Sequence, residues 1–193
     1  MIRSHAKSVL LSVLFVAFIF VGCGDDGAGP GDNNETPSED LEHSWSARFG
    51  DAEDQNGLST AFDPFGNTVV AGVFWGSVDF GGGVLTSAGR EDIFVAKFGP
   101  DGTHLWSSRF GDAASQEYAC VSVDASGNVV ISGIFHGSVD FGGGGLTSAG
   151  MADVFVAKFG PDGTHLWSDR FGDRYSELAC YLATDPSGCL LYT

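Results

Sequence analysis

The chain has 193 residues, enough for one or two ordinary domains. Its 29 Gly and 16 Phe, with no long run of Ala, Leu, Glu and Lys, suit many short strands joined by glycine turns rather than helices. With 9 Lys plus Arg against 25 Asp plus Glu, the net charge of −16 argues against a nucleic-acid partner, which wants a basic stripe, and describes a soluble, self-repelling surface.

Residues 1–23 stand apart. Arg3, His5 and Lys7 make a basic start, and an apolar run from Val9 to Val21 follows, broken only by Ser12. The run is shorter than the ~20 residues a spanning helix needs and fits the apolar region of a secretory signal. Gly22 then precedes a lone Cys23. This arrangement is similar to a bacterial lipoprotein signal, whose cleavage leaves the cysteine as a lipid-bearing N-terminus, although Phe20 stands where such signals usually carry Leu. Lipidation of Cys23 is the expectation, and acyl chains worth about 0.8 kcal/mol per buried methylene would hold the protein on a membrane. The alternatives are an ordinary signal peptide with a chance cysteine, or an uncleaved anchor.

Residues 24–43 carry seven acidic side chains, no Lys or Arg and almost nothing apolar. Such a segment cannot bury enough surface to offset the entropy of ordering, and its Gly, Pro and Ser content describes a charge-extended tether. The GxGxxG spacing starting at Gly22 has neither a strand before it nor a helix after it, so it is a chance match.

From residue 44 onward the chain repeats itself. Trp45, Trp106 and Trp167 are 61 residues apart, as are Gly66, Gly127 and Gly188. The copies run 45–105, 106–166 and, cut short, 167–193. In the first copy four strand-like runs are predicted, Leu58–Asp63, Asn67–Phe74, Asp92–Phe98 and His104–Phe110. Asp63-Pro64-Phe65-Gly66-Asn67 and Gly99-Pro100-Asp101-Gly102-Thr103 supply the hairpin turns between them. Val69, Val70, Val73 and Phe74 leave the second run no polar face, so it is expected to be buried on both sides, whereas the mixed fourth run suits an outer strand. The surplus Trp75–Glu91 is predicted to add a small hairpin, Ser77–Phe80 with Val84–Ser87, at one rim.

The two full copies are identical at about two-thirds of their positions. Changes inside strands conserve volume, as in Val70 to Ile131 or Ile93 to Val154. Larger changes fall at Glu53–Phe62 against Ala114–Val123, at Trp75 against His136, and at Arg90-Glu91 against Met151-Ala152. They lie mainly at strand beginnings and loops, where a repeat protein varies its recognition surface.

Four antiparallel strands per unit, stacked in series, give the predicted fold class: all-β, a partial β-propeller of tandem four-stranded repeats. A parallel β-helix is the rival, but its coils are shorter and need no pair of tight hairpins. GSVDFGGG, FVAKFGPDG, LWS-RFGD and SGN, as they recur here, resemble the SBBP repeat, a family named for a seven-bladed β-propeller. The resemblance spans residue 44 to the end. It implies a secreted or surface-attached bacterial protein, and it offers no catalytic residue to carry over. Two complete units are fewer than the four to eight that close a ring. The chain is therefore expected to be a fragment of a longer propeller, or to self-associate through open blade edges.

Chemistry is sparse. After Cys23 come Cys120, Cys180 and Cys189. Strict strand alternation places Cys120 and Cys180 on opposite faces, which predicts buried free thiols. No CxxC or metal-type Cys/His cluster occurs, and Asp63, Asp79, Asp101, Asp124, Asp140 and Asp162 read as turn formers rather than a calcium loop. His104, His165 and His136 do not fit a ligand set shared between units. Lys97 and Lys158, each near Asp92 or Asp153, suggest cross-strand or inter-blade ion pairs. The functional expectation is a non-catalytic module without cofactor or metal. It is held at the outer membrane or cell surface by lipid on Cys23 and contacts a glycan or protein. The alternatives are a propeller enzyme (lyase, hydrolase or oxidase) with its active site in blades not present here, or a decayed reading frame.

Overall fold

The computed structural model describes residues 44–176, 182–184 and 190–192. Residues 1–43, with the signal, Cys23 and the tether, lie outside the described residues, as do Cys180 and Cys189. The first blade comprises β1 (Gln55–Phe62), β2 (Thr68–Phe74), β5 (Asp92–Phe98) and β6 (His104–Phe110), antiparallel and adjacent in that order. Between β2 and β5, β3 (Ser77–Asp79) pairs with β4 (Val84–Thr86). The second blade repeats this 61 residues later. Its four-stranded sheet is β7 (Gln116–Val123), β8 (Val129–Phe135), β11 (Asp153–Phe159) and β12 (His165–Phe171), with the hairpin β9 (Ser138–Asp140) and β10 (Gly145–Thr147). Within the third copy β13 (Leu182–Thr184) pairs with β14 (Leu190–Tyr192). The protein is a partial β-propeller, and among the described residues no helix is long and apolar enough to cross a membrane.

The turns form as their residues dictate. Asp63 N and Gly66 N close the β1–β2 turn on Asn67 O and Asp63 O, both at 3.0 Å, and Gly66 takes φ +80°, which costs a glycine nothing. The residues alternate least where burial is greatest. β2 is buried at six of its seven positions and β5 at all seven, because each has a strand on either side and covered faces above and below.

The blades stack face to face. Val69, Ala71, Val73, Ile93 and Val95 of the first sheet share one core with Ala119, Val121, Ile131, Phe155, Ala157 and Phe159 of the second. Phe110 at the end of β6 completes it, stacking on Phe159 at 5.2 Å between centroids and packing at a tilt against Phe141 at 5.0 Å. The first strands meet at the narrow side. Val121 N donates to Ser59 Oγ at 3.1 Å, and Ser122 lies 2.8 Å from Thr184 Oγ1. Strands β1, β7 and β13 thus stand side by side, as innermost strands of adjacent blades do.

Residues 44–50 form no strand and pair with none among the described residues, yet they sit where β6 of a preceding blade would. Phe49 stacks on Phe98 at 5.3 Å and approaches Phe80 at 5.2 Å, the same contacts that Phe110 makes one blade later. Trp45 packs beside Phe98 at 5.7 Å.

Two expectations need correction. The extra hairpin forms as expected, but it does not project from a rim. Val78 and Phe80 are buried, with Phe80 4.8 Å from Phe94, so the hairpin lies down along the blade face and covers apolar surface that would otherwise meet water. Cys120 is not a free thiol but disulfide-bonded. The alternation rule behind the earlier expectation assumes an unbroken pleat. β7 carries a bulge at Tyr118, with φ +53°, where the register slips between Glu117 and Ala119. Gly133 faces that bulge because any Cβ there would lie 1.9 Å from Tyr118 O.

Candidate binding rim

Strand direction sorts the loops onto two rims. The β1–β2 and β5–β6 turns share one, and residues 75–76, 87–91 and 111–115 share the other. The turn rim is built for cohesion. Asp63 Oδ1 accepts hydrogen bonds from Phe65 N and Asn67 N, both at 2.9 Å, while Oδ2 accepts Asn67 Nδ2 at 2.7 Å. Lys97 Nζ pairs with that same Oδ2 at 2.9 Å, and its side chain is 2% exposed. The ammonium also donates to Pro161 O in the next blade at 3.1 Å, a carbonyl that Trp106 Nε1 reaches at 3.1 Å as well. Lys158 and Asp124 repeat the pair at 2.8 Å. Cross-strand ion pairs were expected for these lysines, and both form. Lys97 and Asp92 are five residues apart on one strand, so they point to opposite faces and lie toward opposite rims. Asp92 pairs instead with Arg109, and Asp153 with Arg170.

These environments pull carboxylates in opposite directions. Burial raises Asp124, but Lys158, Asn128 and two backbone N–H groups more than compensate, leaving it at about 2. Asp63 is lowered for the same reasons. Asp92 is raised: burial outweighs Arg109 and Ala88 N, and its Oδ1 has no hydrogen-bond partner. Glu91 is raised by burial and then by Glu117 and Asp54. A depressed acid contributes stability above its unfolded pKa and loses it as pH falls through the folded value. A raised acid does the reverse. Stability to urea is therefore expected to hold or rise as pH falls toward the ordinary carboxylate range of about 4, because Asp92 and Glu91 take up protons in the folded protein before they would in the unfolded chain. It should then drop between about pH 4 and 2, with Asp124 alone contributing about 2 kcal/mol to the loss. Urea titrations at stepped pH check this, and a monotonic decline from pH 6 contradicts it.

The loop rim is where the blades differ. Asp51 pins it in the first blade, accepting Glu53 N at 2.8 Å and Ser77 N at 2.9 Å, and Asp112 does so in the second through Ala114 N and Ser138 N, both at 2.8 Å. Gln116 N donates to Glu91 O at 2.9 Å, so the loop before β5 is stitched to the beginning of the next blade. On this fixed frame lies a shallow groove of about 480 Å³, whose large side chains are Glu53, Trp75 and Arg90. Arg90 also borders an adjoining hollow formed with Ala114, Ser115, Glu117 and His136. The surface thus runs continuously across the boundary between blades. Trp75 is 37% exposed. Among the described residues neither Glu53 nor Arg90 has an ion-pair partner, while Glu117 lies 3.5 Å from His136 Nε2.

The other residues weighed from sequence have structural settings. His104 and His165 place Nε2 3.0 and 3.1 Å from Ser107 and Ser168 Oγ, and their rings rest against Gly82 and Gly143. Asp79, Asp101, Asp140 and Asp162 accept backbone N–H groups in their own turns. No cluster of three or more His, Cys, Asp or Glu able to hold a metal occurs among the described residues. The Asp63–Lys97 pair escaped the sequence because its partners are 34 residues apart; the recurrence of both at the 61-residue period was the available signal.

Stacked four-stranded blades with their first strands side by side define a propeller-type repeat protein. No family model matches the chain. It is similar to an uncharacterized WD repeat-containing protein of Acanthamoeba polyphaga mimivirus, 26% identical over 180 residues, an alignment taking in 77% of this chain. The chain spans 13% of that protein's length.

Proposed function

We propose that this is a non-catalytic binding module of the bacterial cell envelope, built on SBBP-type propeller repeats and held to the membrane by lipid on Cys23. The observation that carries the binding role is the contrast between the two blades. Their cores and turns are near copies, while the groove-lining side chains Glu53, Trp75 and Arg90 are replaced by Ala114, His136 and Met151. Differences placed on a rigid frame, away from the packing, suit recognition rather than folding. The envelope location is supported by the Gly22-Cys23 signal pattern and by the disulfide at Cys120, since such bonds persist in oxidising compartments. Lipid anchoring is tested by expressing the chain in a bacterium with radiolabelled palmitate. Label in the protein that disappears with Cys23→Ala is expected, and label retained by Cys23→Ala, or none in either, refutes the anchor.

A further inference from the structure

We propose that the groove carrying Trp75 is a subsite for an uncharged oligosaccharide. This rests on the surface-binding role above and adds the class of ligand and the residues that would hold it. The indole of Trp75, just beyond the end of β2, stands more than a third exposed, although an aromatic of that size normally finds cover in a core as apolar as this one. Its position is set by the backbone, with Trp75 N donating to Asp54 O at 2.9 Å and Gln55 Nε2 donating to Trp75 O at 3.3 Å. A flat, fixed, partly wet aromatic face is a platform for the apolar face of a pyranose ring.

The polar groups fit the same ligand. Glu53 is an acceptor and Arg90 a donor; they line the groove together and, among the described residues, are not paired with each other or with another charged side chain. A hydroxyl pair can donate to the carboxylate and accept from the guanidinium at once, which neither an anion nor a cation can do without facing a like charge. Among the groove-lining side chains one carboxylate balances one guanidinium, in a protein whose overall charge of −16 repels polyanions. The groove is open and shallow, suited to the side of an extended chain rather than to a small molecule enclosed on all sides. The corresponding surface of the second blade has Ala114, His136 and Met151, which offer neither the carboxylate nor the guanidinium. Recognition is therefore assigned to the first blade, with the hollow beside His136 available to a neighbouring sugar unit.

The test is calorimetric titration of the full 193-residue chain with neutral hexasaccharides (β-1,4- and β-1,3-glucan, α-1,4-glucan, β-1,4-mannan and β-1,4-xylan), alongside polygalacturonate and polylysine as charged polymers. At least one neutral hexasaccharide is expected to bind. Trp75→Ala should weaken it at least 10-fold, and Glu53→Gln and Arg90→Gln several-fold each, with melting temperatures unchanged because all three side chains lie outside the core. Absence of binding by every neutral sugar, preference for a charged polymer, or affinity indifferent to Trp75→Ala overturns the proposal. Sedimentation with isolated bacterial envelope separates this from the broader reading. Envelope binding that survives Trp75→Ala refutes the saccharide groove alone, whereas no envelope binding by the parent chain refutes both.

Discussion

Lys97→Met is expected to destabilise the protein by about 3–5 kcal/mol, read as a fall in the urea midpoint at pH 7. The ammonium is nearly inaccessible to water and its partner carboxylate fully so. Removing one member of such a pair strands the other charge in a low-dielectric site, and that stranded charge, rather than the lost attraction, makes the penalty large. Asp63 keeps its three N–H donors, which moderates the cost toward the lower end. Pro161 O, by contrast, loses one of two donors arriving from the neighbouring blade. Adding Asp63→Asn to Lys97→Met should recover part of the loss, since the amide oxygen can still accept from Phe65 N and Asn67 N while the unpaired charge is gone. Lys158→Met should cost less, because that side chain is 15% exposed and water can partly solvate Asp124 in its place. Equal losses at the two lysines, or no recovery in the double variant, would count against this account.

Phe110→Ala should cost a similar amount, about 3–5 kcal/mol, by opening a cavity at the blade boundary. The ring is 8% exposed and belongs by sequence to the first blade, but its aromatic partners, Phe141 and Phe159, belong to the second. The relaxation that softens many core truncations is limited here, because Phe159 is held in β11 and Phe141, just past β9, is buried against Phe155 at 4.8 Å. Beyond the lower midpoint, the transition should broaden as the blades begin to melt separately, the behaviour expected when stability is divided between unit terms and interface terms. Val84→Ala is the control: Val84 is 67% exposed and its truncation should stay within about 0.5 kcal/mol of the parent. A sharp, single transition for Phe110→Ala with unchanged midpoint would refute the view that neighbouring blades depend on this ring.

Much of the architecture is readable in one dimension because the chain states it twice. The Asx-and-glycine turns at 63–67 and 99–103 mark hairpins, and the third and fourth strands end where their composition changes, at Asp92–Phe98 and His104–Phe110. The unbroken apolar run in β2 announces burial on both faces. β1 was harder, and begins three residues earlier than its composition suggests. Its inner and outer faces alternate throughout, but the polar Gln55 and Asn56 give its beginning no apolar signal, and the bulge that shifts the register between Gly57 and Ser59 leaves no mark in the residue pattern. The same device in β7 misled the reading of Cys120.

The candidate groove was legible as a set of differences between copies, at Glu53, Trp75 and Arg90, but not as a place. Those residues are separated by as many as 37 positions, and only the fold brings the loop before β1, the end of β2 and the loop before β5 onto one rim. By itself the sequence determined the class, the period, the hairpins and the acidic surface, because these depend on local backbone preferences and on composition. Tertiary structure decided which acid meets which base, that the extra hairpin lies flat on the blade, and that Trp75 and Arg90 share a surface. Those outcomes depend on registers and packing between segments far apart in the chain, and a linear pattern does not encode them residue by residue.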